Sequence, residues 1–305
     1  MVLLSQEGRG TARASRHGRT AALFSRYGRV AAIALIVLWS AFPIYWALNT
    51  SLMTGDQAQS VPARYLPFPP SFANYAAILG LGTNAAGSST DLWPQFSRAL
   101  INITVECLAA TIITVVIAVF AAYAFARLTF RLKNVIFYTV IATLALPAYA
   151  TLIPLYQLMS NLGLVNTYTG IVLVYISGFL PLALWIMYSY FGAIPPALEE
   201  AAYLDGASPL QVIFRIMIPL GVPGITATAI ITLLSAWGQF LFPLVLASDI
   251  STQPLTVVIT ALQGQHTVPY TLLNASGVVC IAVPAAIVMF LNRYIISGVL
   301  AGSVK

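Results

Sequence analysis

Few side chains in this sequence can do chemistry, and they are concentrated. The stretch EEAAYLDGASPLQVIFRIMIP, residues 199–219, holds Glu199, Glu200 and Asp205 within seven positions, in a chain of which only 7% is charged. No charge lies between Lys133 and Glu199. Clustered carboxylates suggest acid–base or metal chemistry, and both need partner groups. The two lysines are Lys133, which precedes Asn134, and Lys305, the last residue. Neither completes the Gly-Lys-Ser or Gly-Lys-Thr of a phosphate-binding loop. The two histidines, His17 and His266, stand far from the acidic stretch. No HExxH, GxSxG or metal-ligand cluster occurs, so the groups an active site needs are missing. The chain is expected to be no enzyme and to hold no metal or cofactor of its own. Cys107 and Cys280 lie in apolar runs without CxxC pairing and read as small buried hydrophobes rather than a disulfide. Glu106 stands in another apolar run. It reads either as a polar group lining a pathway or as a glutamate near the outer interface, hydrogen-bonded to a neighbouring helix. The second is preferred, since a lone acid without a basic partner is thin evidence for a relay.

The acidic stretch itself reads as a capped elbow. Pro195 and Pro196 end one helix and suit the first turn of the next. Glu199 and Glu200 then meet the positive end of a helix dipole. Ala201 and Ala202 favour helix and add little bulk. Gly206 supplies the left-handed conformation that closes a helix. Ser208, Pro209 and Gln211 make a capping-box start for a second helix, which runs on through Ile213, Phe214, Ile216 and Met217. Two uses of such an elbow stay open on these grounds. It is a solvated surface loop, or it is a stiff, small-faced element that docks in a groove on another protein.

The elements that position the elbow follow from composition. Of 305 residues 59% are hydrophobic, and the mean hydropathy is +0.88. One soluble core cannot bury that much apolar surface, so lipid is expected to be part of the solvent. A spanning helix needs about 20 mostly apolar residues. Six candidates stand near residues 30–51, 98–126, 134–160, 167–192, 218–247 and 272–296, an all-α integral membrane fold. The prolines inside them, such as Pro43, Pro147, Pro154, Pro181, Pro243 and Pro284, are expected to kink rather than break the helices. The net charge of +6 is uneven. Arg9, Arg13, Arg16, Arg19, Arg26, Arg29, Arg127, Arg131, Lys133, Arg215, Arg293 and Lys305 fall on one face of a six-span arrangement, and only Arg64 and Arg98 on the other. The positive-inside rule makes the first face cytoplasmic, with both termini and the elbow there. Residues 1–27 read as a flexible basic tail attracted to anionic lipid.

The spacing within the elbow now supports a resemblance. Glu200-Ala201-Ala202, three residues, Gly206, nine residues, Ile216, one residue and Ile218-Pro219 resembles the EAA motif of ATP-binding-cassette importer permeases, with Ile218 where leucine is usual. The flanking DGASPLQVIFRIMIPLGVPGI, the run AYAFARLTF at residues 122–130 and the ending GVLAGSVK are similar to the maltose-type carbohydrate branch, and to its G subunit in particular. The resemblance covers most of the chain from about residue 30, but not the N-terminal tail or residues 83–91.

This resemblance implies a type I importer permease fold over residues 28–305. It implies a second, homologous permease subunit, two ATPase subunits that carry ATP and Mg, and an extracytoplasmic binding protein that delivers a sugar across the bacterial inner membrane. No nucleic acid is expected as a partner. Residues 193–217 would form the coupling loop, with Glu200, Ala201, Ala202, Asp205, Gly206 and Ser208 against the ATPase. The tail residues Ser303, Val304 and Lys305 would reach between the ATPases. The outer loop, residues 249–270, would act as a scoop into the binding protein through Gln263, Gly264 and Gln265, while His266 reads as an ordinary loop histidine. Tyr149, Tyr156, Asn161 and Trp237 suit a sugar pathway but equally suit packing. Arg64 and Arg98 alone do not establish an acidic saccharide. Two alternatives remain: the same architecture for another solute such as a glycerophosphodiester, or an ion-coupled carrier or channel.

Overall fold

The computed structural model describes residues 8–82, 92–262 and 269–302. The residues named above as scoop (Gln263, Gly264, Gln265) and ATPase-contacting tail (Ser303, Val304, Lys305) lie outside the described residues.

Among the described residues every regular element is helical. The long ones are α1 (Gly8–Ser51), α4 (Trp93–Arg127), α7 (Tyr168–Ala193), α10 (Ile218–Trp237) and α13 (Tyr270–Gly302), and shorter pieces lie between them. α2 (Gly55–Ala58) and α3 (Ala73–Ile78) follow α1, and α5 (Lys133–Ala142) and α6 (Ala148–Asn161) follow α4. α8 (Ala197–Leu204) and α9 (Pro209–Val212) link α7 to α10, and α11 (Leu241–Leu246) and α12 (Leu255–Ala261) link α10 to α13. Five helices are long and apolar enough to cross a membrane, and α5 with α6 makes a sixth if the bent pair is one span.

α4 and α7 form the heart of the bundle. They run parallel. Near their starts Tyr168 Oη donates to Asn102 Oδ1 at 2.6 Å, and beyond their ends Arg127 donates to the Ile194 carbonyl. Parallel neighbours need a return crossing between them, and α5 with α6 supplies it. One core lies between α4, α7, α10, α12 and α13, around Ile103, Cys107, Tyr175, Trp237 and Leu255. A second lies toward the α8 end, around Ala122, Met187, Phe191, Val212 and Met217. At the opposite end buried amides tie the chain together. Asn74 Nδ2 donates to the Ser51 carbonyl at 3.0 Å, and Thr271 donates to Asn74 Oδ1 at 3.2 Å. Asn102 Nδ2 donates to the Gln253 carbonyl at 2.9 Å, and Asn166 Oδ1 accepts the N–H groups of Ser248 and Asp249.

Four expectations change. The third span is not a kinked rod: α5 ends in a 3₁₀ turn, Thr143–Ala145, and α6 leaves at 109° beyond Pro147. The fifth expected span is likewise interrupted, since Gly238, Gln239 and Phe240 separate α10 from α11. Helix begins at Gly8, so residues 8–27 of the basic tail continue α1 rather than forming flexible chain. Within the outer loop, α12 buries Leu255, Val257 and Val258. Glu106 is fully buried, and neither carboxyl oxygen has a hydrogen-bond partner among the described residues. That removes the hydrogen-bonded interfacial glutamate as its description.

Candidate functional site

The elbow has the local structure that its caps require. α8 starts behind Pro196, with Glu199 and Glu200 in its first turn. It stops at Gly206, whose φ is +82°. The Gly206 N–H donates to the Tyr203 carbonyl at 3.1 Å and the Ala207 N–H to the Ala202 carbonyl at 2.9 Å. This is the paired closure of a Schellman cap. Two residues later Ser208 opens α9. Its N–H donates to Gln211 Oε1 at 2.7 Å, while its Oγ accepts the Gln211 N–H. α9 passes through one π turn, Ile213–Met217, into α10. The chain turns between α8 and α10 with almost no free backbone.

The faces of α8 differ. Ala197, Glu200, Ala201 and Leu204 are exposed at spacing i, i+3, i+4, i+7 and so share one stripe,. Leu204 is 90% exposed, in a segment outside the spanning helices. Asp205, Gly206 and Ser208 are exposed beside the stripe. The other face is fastened to the bundle. Glu199 is buried and forms an ion pair with Arg127 at the end of α4. Tyr203 Oη lies 3.0 Å from Tyr123 Oη, and Ala202 and Ala207 pack on the second core.

Five of the six expected coupling residues, Glu200, Ala201, Asp205, Gly206 and Ser208, are thus brought together on one exposed surface. Ala202 is the exception: it is half-buried and faces the chain's own core. Arg127, Tyr123, Tyr203 and Glu199 were not singled out as site residues. Arg127 had counted only as a topogenic charge, and its pairing across 72 positions leaves no local pattern. The buried member of a Glu-Glu pair could have been marked by its i+3 relation to Ala202 on the packed face.

At the opposite end, the start of the expected scoop loop is shaped by Asp249. The Ser251 N–H donates to its Oδ1 at 2.7 Å. This donation holds the carboxyl below its ordinary range, so a fixed negative charge stands there,.

The comparisons with known proteins follow this geometry. Residues 114–300 match the family model described as binding-protein-dependent transport system inner membrane component. The sulfoquinovosyl glycerol transport system permease protein of Agrobacterium fabrum is 31% identical over 274 residues, covering 90% of this chain and 92% of that protein. The trehalose transport system permease protein of Mycobacterium tuberculosis is 31% identical over 274 residues, covering 89% and 94%. Among solved structures, a bacterial ABC transporter involved in the import of the acidic polysaccharide alginate has a chain that aligns with a TM-score of 0.71 at 23% identity. The alignment covers 88% of this chain and 96% of that one, and it carries the fold. The exposed elbow, the helical bundle and the match over more than half of the sequence agree: this chain belongs to the binding-protein-dependent transport system inner membrane components, the permease subunits of ATP-binding-cassette importers.

Proposed function

We propose that this chain is one of two permease subunits of an importer in the bacterial cytoplasmic membrane, taking up a di- or oligosaccharide from an extracytoplasmic binding protein. ATP and Mg act on two separate ATPase subunits, and the elbow is where those subunits are felt. The observation that carries this reading is the exposed stripe of α8 on an otherwise fastened helix. We read Leu204, 90% exposed on a helix whose other face is fastened to the bundle, as the side chain that enters a pocket on a partner. Glu200, Ala201 and Leu204 would enter a cleft of the ATPase, and Asp205, Gly206 and Ser208 would line its rim. Ala202 would help by letting α8 lie close to its own bundle. Ser303, Val304 and Lys305 would extend toward the ATPases, and Gln263, Gly264 and Gln265 toward the binding protein.

The second reading within this architecture is another solute, such as a glycerophosphodiester. The relatives include permeases of sulfoquinovosyl glycerol and of trehalose transport systems, so the sugar class is argued separately below. Co-purification tests the main reading. The native complex should bring down an ATPase chain whose hydrolysis rises with binding protein and saccharide. Gly206→Pro should keep insertion but lose the ATPase chain or separate hydrolysis from transport. Normal transport and assembly in that variant would end the coupling assignment. Absence of any ATPase chain from the native complex would favour the self-contained carrier or channel.

A further inference from the structure

Two helix breaks meet at one cavity. The first is the 109° bend between α5 and α6, through Thr143–Ala145, Leu146 and Pro147. The second is Gly238–Phe240, between α10 and α11. Between the breaks, against Ser177 and Gly178 of α7, lies a cavity of about 390 Å³. That is within the range of small-ligand sites. A helix that stops inside the bilayer leaves carbonyls of its last turn without partners, and lipid cannot satisfy them. Such breaks persist where they face protein or line a polar cavity, and interrupted helices often mark solute sites in transporters.

The walls are mostly apolar and wholly uncharged, with Thr143, Thr151, Ser177 and Gln239 as the polar groups. Thr143 Oγ1 donates to the Val140 carbonyl at 2.6 Å, and Ser177 Oγ donates to the Val174 carbonyl at 2.8 Å. Each hydroxyl has spent its proton and offers lone pairs. Gln239 supplies the complementary donor. Its backbone is satisfied, with the N–H on the Ala236 carbonyl and its own carbonyl accepting from Thr256 Oγ1 at 2.9 Å. Its half-buried side-chain amide lines the cavity and has no partner among the described residues. Phe179 and Phe242 add apolar faces. No Asp, Glu, Lys or Arg occurs from residue 134 to 198 or from 216 to 248, and every wall residue falls in those ranges. An anionic ligand would lose hydration here with no cation in exchange, at several kcal/mol. Neutral hydroxyls would exchange water for the amide, hydroxyl and carbonyl groups.

We infer that this permease chain itself carries a mid-span site for a neutral, hydroxyl-rich saccharide, with the Gln239 amide as its selectivity-determining group. The inference rests on the importer reading and adds the substrate's charge class.

The test uses the purified complex in nanodiscs, in a Cys280→Ala background that leaves only the buried Cys107. Ser177→Cys is alkylated with N-ethylmaleimide in the presence of trehalose, maltose or sucrose, or of digalacturonate as the acidic probe. At ten times the dissociation constant, occupancy slows alkylation about tenfold. Protection is expected from at least one neutral disaccharide, is not expected from digalacturonate, and should vanish in Gln239→Ala with the unprotected rate unchanged. Thr143→Cys, at the other break, gives the same readout if the first variant fails to assemble. Protection by digalacturonate, no protection by any neutral disaccharide, or protection that survives Gln239→Ala overturns the site. Binding-protein-stimulated hydrolysis, measured on the same preparations, separates the two levels. If saccharide stimulates hydrolysis without protection, only the site fails; if no saccharide of either class stimulates it, the importer reading fails.

Discussion

Glu199 and Glu200 are adjacent, identical side chains with opposite surroundings. Glu199 is 5% exposed and paired with Arg127, whereas Glu200 stands on the open stripe. Removing one partner of a buried ion pair leaves the other charge uncompensated, at about 3–5 kcal/mol. Changing an exposed carboxylate typically costs about 0.5 kcal/mol or less. Arg127→Ala should therefore lower the thermal midpoint of the purified complex by several degrees. Glu200→Ala should leave that midpoint in place and lose ATPase chain on purification. The charge-swapped pair Arg127→Glu with Glu199→Arg should recover part of the midpoint lost in either single variant. If Glu200→Ala destabilised the fold while Arg127→Ala affected only assembly, the two faces of α8 would have been assigned the wrong way round. The residue scale also shows the limit of local pattern. Gly206 and Ser208 were legible because a cap is written within a few residues. The partner of Glu199 was not, because α5, α6 and α7 lie between the two in the chain.

At the scale of elements, close approach of α7 and α10 depends on Gly221 and Gly224. A Cβ on Gly221 would meet the Phe191 ring at 2.8 Å, and one on Gly224 the Tyr190 ring at 2.6 Å. Overpacking of this kind costs about 1–3 kcal/mol. Gly224→Leu should lower the thermal midpoint, and Tyr190→Ala in the same chain should restore part of it, as expected of a coupled pair. Additive losses in that double variant would show that the two helices do not meet there. The spans themselves were legible as apolar runs, with α7 and α13 starting within about two residues of their expected places, whereas α10 stops at Trp237, well short of the expected 247. The breaks were not. Pro43, Pro181 and Pro284 stay inside continuous helices, whereas Pro147 marks a 109° bend. The same residue type gives both outcomes, because the result depends on whether neighbouring helices or a cavity receive the freed carbonyls. That is a tertiary property. The cavity was invisible for the same reason, since its walls come from segments 143–155, 174–179 and 239–242.

For the whole molecule the decisive question is how many times the chain crosses. Length and composition alone allow five spans or six. An odd number would put the termini on opposite sides. The geometry decides it. α4 and α7 are parallel, so the chain must return between them. Lys133, at the start of α5, donates to Leu128 just beyond α4, while Asn166, beyond α6, holds Ser248 and Asp249 at the opposite end. α5 and α6 therefore cross as a bent pair. The N-terminal half follows the same alternation, because α1 ends where Asn74 gathers Ser51 and Thr271. Six crossings would bring both ends of the chain to the α8 side, together with Arg127, Arg131, Lys133 and Arg215, and on the positive-inside rule we propose that this side faces the cytoplasm. Single cysteines in a Cys280→Ala background make this measurable in whole cells, with a membrane-impermeant maleimide. Thr129→Cys and Ser208→Cys should be labelled only after the inner membrane is opened. Ser251→Cys should be labelled once the outer face of that membrane is reachable. Labelling of Thr129→Cys and Ser251→Cys from the same side would mean that α4 and the segment after α10 do not end on opposite faces. It would also remove the ATPase-facing position proposed for the elbow, since Arg127 fixes α8 to the same end as Thr129.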